Sequence, residues 1–235
     1  MKTRFSKFFN IPELMKLFKE TADIQTPDML KLPVPEAEYI TVATEASDFQ
    51  IEMIDALAER AKAIRDKKVD PKDDNMLNVT NDGRKLALDQ RLMNDLLPDD
   101  ENSKVNKCIQ NVFDIWERTS EQRSAQMIFC DMSVPKTDGS FSVYNDIRDK
   151  LIQKSIPQNE IAFIHDCKTD EEKQKMFTKV RSGEIRVLLG STSKMGTGAN
   201  AQKKLIALHH IDCPWKPSDL EQRNGRIIRQ GNENP

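Results

Sequence analysis

From about residue 104 onward, short unbroken apolar runs alternate with stretches of helical periodicity, and few folds accept that pattern. The runs are AQMIFCDM (125–132), IAFIHD (161–166), IRVLLGS (185–191) and LIALHHID (205–212). None alternates apolar with polar residues, so each reads as a strand buried on both faces. Helical segments separate them: 104–119, SVYNDIRDKLIQKSI (142–156), TDEEKQKMFTKVRSG (169–183) and PSDLEQRNGRIIRQG (217–231). The third has a Thr-Asp start and a Gly stop. The alternation predicts an α/β fold, with a parallel sheet covered by helices on both faces. In open sheets of this kind, ligands bind beyond the carboxyl ends of the strands. The loops 190–200 and 212–219 stand at such ends.

The first hundred residues follow no such plan. A short amphipathic helix is expected over 11–20, then a proline-punctuated stretch from Pro27 to Pro35, then a strand-like EYITVAT (38–44). Phe49, Ile51, Ile54, Leu57, Ala58, Ala61 and Ile64 recur at spacings of three and four, which predicts a helix over 48–67. VDPKDDN (69–75) reads as a charged loop, 84–97 as a further helix, and PDDENSK (98–104) as a linker.

Composition removes several classes of function. No run approaches the roughly 18 apolar residues of a membrane helix. The N-terminus is basic but has no apolar core, so no secretory signal is read there. The four cysteines, Cys108, Cys130, Cys167 and Cys213, lie far apart without metal-ligand spacing. No metal site is expected, and the thiols suit a reduced, cytoplasmic setting. The net charge is −2. A chain that bound nucleic acid over a broad surface would be more basic, so any such contact is local.

Two segments carry chemistry. GSTSKMGTGAN (190–200) follows a strand directly. Its glycines and small hydroxyl residues let backbone approach a phosphate or a sugar, although the same composition also serves a plain turn. In QRNGRIIRQGN (222–232), Gln222, Arg226 and Arg229 stand at i, i+4 and i+7. A helix places all three on one face, where two permanent, fork-shaped cations suit a phosphate chain whose charge shifts during cleavage. A solvated helix face is the alternative. Arg223 lies off that face and reads as a solvent-exposed arginine.

Together the two segments resemble helicase motifs. Residues 191–200 resemble motif V in its Swi/Snf form, and Gln-x-x-Gly-Arg-x-x-Arg at 222–229 resembles motif VI of superfamily 2. HIDCPWKPSDLEQRNGRIIRQGN is similar to the same stretch in the bacterial RNA-polymerase-associated Swi/Snf ATPase group, and AQMIFCDM matches motif IV in position. The resemblance implies a RecA-like C-terminal helicase lobe over 104–235, preceded over 1–103 by the end of a first lobe and a helical connector. It implies ATP with Mg2+ in a cleft shared with a first RecA-like lobe of the same parent. It makes Arg226 and Arg229 arginine fingers, with Gln222 positioning the nucleotide or its attacking water. It places Gly196, Gly198 and Asn200 near the ribose, and Ser191, Thr192 and Lys194 on a DNA phosphate backbone. The implied partner is double-stranded DNA, tracked without unwinding, with methyltransferase or nuclease modules conceivable elsewhere in the parent.

The chain also departs from the family pattern. No GxxxxGK[ST] loop occurs, so the phosphate-cradling half of the site is expected in the first lobe. The family continues past motif VI with one more strand, so the lobe is expected to be truncated. DEEK (170–173) has the composition of an acidic magnesium motif but opens a helix, where acidic residues favour the dipole. His209 and His210 read as packing residues of a strand, and Trp215 as the anchor of the loop before motif VI. A competing reading is a non-catalytic interaction module that keeps the lobe fold. The intact Gln222, Arg226 and Arg229 set favours the motor.

Overall fold

In the computed structural model the described residues are 9–23, 25, 29, 33–135, 139–195 and 200–234. The chain divides into two compact units, residues 1–33 and 34–235. The first contains α1 (Ile11–Thr21), with Pro12 in its opening turn. Ile11, Leu14, Met15 and Phe18 form a stripe on α1, and all are exposed.

The second unit begins with extended chain. The alternating segment 38–44 forms no ladder with any described strand, although a strand was expected there. A strand needs a neighbour's backbone, which periodicity alone cannot supply. Helix α2 (Asp48–Arg65) starts on a reciprocal cap: the Ser47 hydroxyl accepts from the Gln50 amide, and the Gln50 side chain accepts from the Ser47 amide. Helix α3 (Met76–Leu88) is capped by Asn75. The two helices bury Leu57, Val79 and Leu86 between them. Arg60 on α2 ties the pair, 2.9 Å from Asp74 and 3.0 Å from Asp82. The helix expected over 84–97 is therefore displaced toward the N-terminus. Asp89 breaks it by adopting extended backbone and capping a short 3-10 turn, Gln90–Leu92.

Ser103 then caps α4 (Lys104–Arg118), whose apolar side opens the main core. Among the described residues four strands follow: β1 (Ala125–Phe129), β2 (Ile161–Phe163), β3 (Val187–Gly190) and β4 (Leu205–His210). All pair in parallel, in the order β2-β3-β1-β4. Helix α5 (Val143–Gln153) joins β1 to β2, and α6 (Asp170–Ser182) joins β2 to β3. The one-turn α7 (Thr192–Met195) follows β3, and α8 (Pro217–Asn224) follows β4. Helix α6 stops at Gly183, whose left-handed φ of 76° suits glycine.

The sheet is covered on both faces, as the strand–helix alternation predicts. Alternate residues of each strand face opposite ways. Ile128, Cys130, Phe163, Val187 and Leu189 join α4 and α5 on one side. Ala125, Met127, Phe129, Leu188 and Leu205 join Phe177, Val180 and Met195 on the other. The connection from β1 packs on the first face and that from β3 on the second. The carboxyl ends of β1 and β3 therefore flank the topological switch point, where such sheets place their ligand crevice. Among the described residues, no helix is long and apolar enough to cross a membrane.

Candidate functional site

The carboxyl edge of the sheet has a regular composition. Two residues beyond the last residue of each strand stand His165, Thr192, Asp131 and Asp212, in the spatial order of the strands. Three of these four are joined by one arginine from α8. The Arg223 side chain is 0% exposed and lies 2.8 Å from Asp131 and 3.1 Å from Asp212. Its Nε donates to Thr192 Oγ1 at 2.9 Å, and its Nη1 donates to the Asp212 carbonyl at 3.1 Å. The guanidinium carbon lies 5.1 Å from the centre of the Phe129 ring.

The acceptors are equally occupied. The Thr192 hydroxyl donates to Asp131 Oδ2 at 2.7 Å, and its amide donates to Asp131 Oδ1 at 2.6 Å. The amides of Asp131 and Met132 donate to Asp212 Oδ2. Burying an arginine is costly unless its donors are paired and its charge is matched. Here two carboxylates, a hydroxyl and a carbonyl meet it. The result is a clamp across the ends of β3, β1 and β4 that fixes α8 to the switch point.

Arg223 was expected in solvent, and the structure corrects this. Helical spacing excluded it from the face of Gln222, Arg226 and Arg229, and the face that it occupies is the inward one. Two aspartates directly beyond two buried strands were the available signal, since each needs a cation or amides to be buried.

The segment after Arg223 is also corrected. Helix α8 ends at Asn224, not at 231. The Asn224–Gly225 pair has low helix propensity, and the Asn224 side chain is engaged by His210 Nε2 at 3.0 Å. Tighter bonds follow: the Arg226 amide donates to the Arg223 carbonyl at 3.0 Å, and the Ile227 amide to the Asn224 carbonyl at 3.1 Å. The chain then runs back along β4. Gly231 turns it with a φ of 85°, and the Asn232 and Asn234 side-chain amides donate to the Leu205 carbonyl, each at 2.9 Å.

Arg226 and Arg229 therefore stand on a tight turn, not on a continuous helical face. They remain close. Burial first, and then the neighbouring Arg229 charge, lower the pKa of Arg226. Arg226 is half-buried, while Gln222 and Arg229 are exposed. Two guanidiniums are thus carried on the same short turn, and a guanidinium is a fork-shaped donor of the kind that suits phosphate oxygens.

The 190–200 loop is described only in part, and Gly196 and Gly198 lie outside the described residues. Asn200 is exposed, and its carbonyl accepts from Arg181. Ser191 is buried, with its hydroxyl 3.0 Å from that of Ser193. Thr192 spends both its amide and its hydroxyl on the Arg223 clamp. Lys194 is half-buried on α7, near enough to His165 that, after burial, its charge helps lower the histidine's pKa. Ser191 and Lys194 thus flank Thr192 at the carboxyl end of β3.

The acidic groups have other duties. Glu172 accepts from the Lys168 and Thr169 amides and so caps α6, and Asp170 pairs with Lys173 at 2.9 Å in its first turn. Among the described residues, Asp89, Asp99 and Asp146 lie close enough to share a metal ion. Arg91 lies within 2.7 to 2.9 Å of all three, and Lys150 lies 2.6 Å from Asp99 and 2.9 Å from Asp146. Arg91 and Lys150 offset two of the three negative charges, and the cluster is an ion-pair network that pins α5. Trp215 is 59% exposed and stacks under Arg84 instead of packing into the core.

Comparison with known proteins places these features in a family. The helicase conserved C-terminal domain family matches residues 103–231. No curated protein matches the chain. Among solved structures, the C-terminal part of the Fun30 ATPase domain is 17% identical with a TM-score of 0.41, covering 62% of this chain and 43% of that one. The Pyrococcus furiosus Hef helicase domain is 12% identical with a TM-score of 0.38, covering 75% and 33%. The DUF1998 helicase MrfA bound to DNA is 14% identical with a TM-score of 0.39, covering 54% and 17%. The chain thus spans less than half the length of each of these proteins.

Proposed function

The chain belongs to the helicase conserved C-terminal domain family, and from that premise we propose that it is the second, RecA-like motor lobe of a Swi/Snf-type, ATP-dependent double-stranded DNA translocase. Residues 104–235 form the lobe, and 1–103 form the end of the first lobe with a helical connector. Arg226 and Arg229 act as arginine fingers, and Gln222 orients the nucleotide or the attacking water. Gly196, Gly198 and Asn200 lie toward the ribose, and Ser191 and Lys194 contact a DNA phosphate backbone, with Thr192 behind them in the clamp. The reduced thiols suit a cytoplasmic protein.

One observation carries the reading. Arg223 clamps α8 to three strand ends, so the turn that follows presents two guanidiniums from a fixed base. A preorganised cation pair stabilises charge that develops on a transferring phosphoryl group without reorganising during the reaction. The residues present fit the phosphate end of ATP, because paired guanidiniums match its charge and its oxygen geometry. The DEEK segment is not read as a magnesium site, since Asp170 pairs with Lys173 and Glu172 caps the helix. ATP brings the phosphoryl group and the first lobe brings the metal. This lobe orients and neutralises.

The test is to join the chain to its first lobe and measure ATP hydrolysis with double-stranded DNA, single-stranded DNA and RNA. Stimulation by duplex DNA is expected. Hydrolysis that no nucleic acid stimulates contradicts the translocase reading.

A further inference from the structure

The loop between β4 and α8 is held from two sides. On the inner side, Asp212 is sealed into the Arg223 clamp, its side chain 4% exposed. On the outer side stands Arg84, from α3. Its Nη2 donates to the Cys213 carbonyl at 2.8 Å, and its guanidinium carbon lies 4.6 Å from the centre of the Trp215 ring. One side chain thus grips two points of a five-residue approach, across 129 positions of sequence. The approach itself is stiff. It reads Cys-Pro-Trp-Lys-Pro, and each proline fixes its own φ and restricts the residue before it. A displacement at Cys213 or Trp215 therefore passes to the start of α8 and is not absorbed on the way.

Arg84 is itself held from behind. Asp82, two residues earlier on α3, pairs with Arg60 of α2 at 3.0 Å. Leu57 of α2 packs against Val79 and Leu86 of α3. Packing and the Arg60 ion pairs join α2 to α3, and Arg84 of α3 touches the approach to α8.

We propose that Arg84 is a positioning residue: through Cys213 and Trp215, the α2–α3 pair sets where α8 begins, and hence where the Arg226–Arg229 turn stands. The proposal rests on the reading of that turn as the arginine-finger element. A change in the α2–α3 pair then alters turnover with no change in the residues that touch nucleotide. Exposed Trp215 acts as the cation's platform.

Hydrogen exchange on the 235-residue chain tests the latch without any assay of activity. In Arg84→Ala, amides of 218–228 are expected to exchange about tenfold faster, with those of β1 and β3 unchanged. Trp215→Ala should do the same, and Trp215→Phe, which keeps a ring, should stay near the parent. Unchanged exchange over 218–228 in Arg84→Ala overturns the proposal. In the protein joined to its first lobe, Arg84→Ala should lower kcat about tenfold and leave KM unmoved. An unchanged kcat with loosened exchange also overturns the positioning role. A parent protein that hydrolyses no ATP at all overturns the motor reading instead, and the exchange result alone then decides the latch.

Discussion

Arg223 Nη2 lies 2.8 Å from Asp131 Oδ2, and no part of the arginine side chain reaches solvent. This contact joins the helix after the last strand to the end of a central one. Removing one partner leaves an uncompensated buried charge, which costs more than the pair itself contributes. Arg223→Ala is therefore expected to lower stability by about 3–5 kcal/mol, as read by denaturant unfolding. Arg223→Lys should recover little, because a single ammonium cannot reproduce the fork that reaches Asp131, Asp212 and Thr192.

Arg229 makes the contrasting case. It is exposed on the turn. Arg229→Ala should change unfolding free energy by less than about 1 kcal/mol, as surface substitutions do. A cost like that of Arg223→Ala would mean that Arg229 is structural.

His209 gives a pH dependence with a defined sign. It stands on β4, with Nε2 2.9 Å from Gln126 Oε1. Burial, and then the charge of His210, push its pKa from 6.5 down to about 4. The unfolded chain therefore binds a proton that the folded chain refuses. The stability this neutral histidine provides is present above pH 6.5 and is lost as pH falls toward 4. Between pH 7 and pH 5 the loss should be about 2 kcal/mol. In His209→Gln, stability should vary less between those two pH values. An equally steep profile in that variant would assign the dependence to other groups.

Gly190 ends β3 where no side chain fits. A β-carbon there would lie 2.5 Å from Ile164 Cγ2 and 2.6 Å from Met195 Sδ. Met195 is flexible, but Ile164 is a fully buried, branched side chain. Gly190→Ala should cost about 1–3 kcal/mol by overpacking, measured as a shift in the urea midpoint. A neutral result would show that Ile164 as well as Met195 gives way to the methyl.

The sheet was legible because burial on both faces leaves unbroken apolar runs, as in Val187–Gly190 and Ala125–Phe129. The start of α6 was legible because Thr169 and Glu172 form a reciprocal cap. What sequence could not provide was pairing. EYITVAT has the composition of a strand, yet no described neighbour offers it a ladder. Nor could helical spacing find Arg223. Periodicity asks which residues share a face, whereas the fate of a charge depends on which carboxylates the topology delivers to it. The same limit applies to Arg226 and Arg229. Their spacing of three survives on a 3-10-like turn, so their proximity was legible although the helix that was to carry them was not.

The most direct test of the arginine-finger assignment is kcat for duplex-stimulated ATP hydrolysis by the chain joined to its first lobe, with Arg226→Ala and Arg229→Ala combined. The account predicts a fall of about 10³-fold or more, with DNA binding and folding retained. Turnover within a few-fold of the parent rate would contradict it, and would leave the two guanidiniums as surface charges.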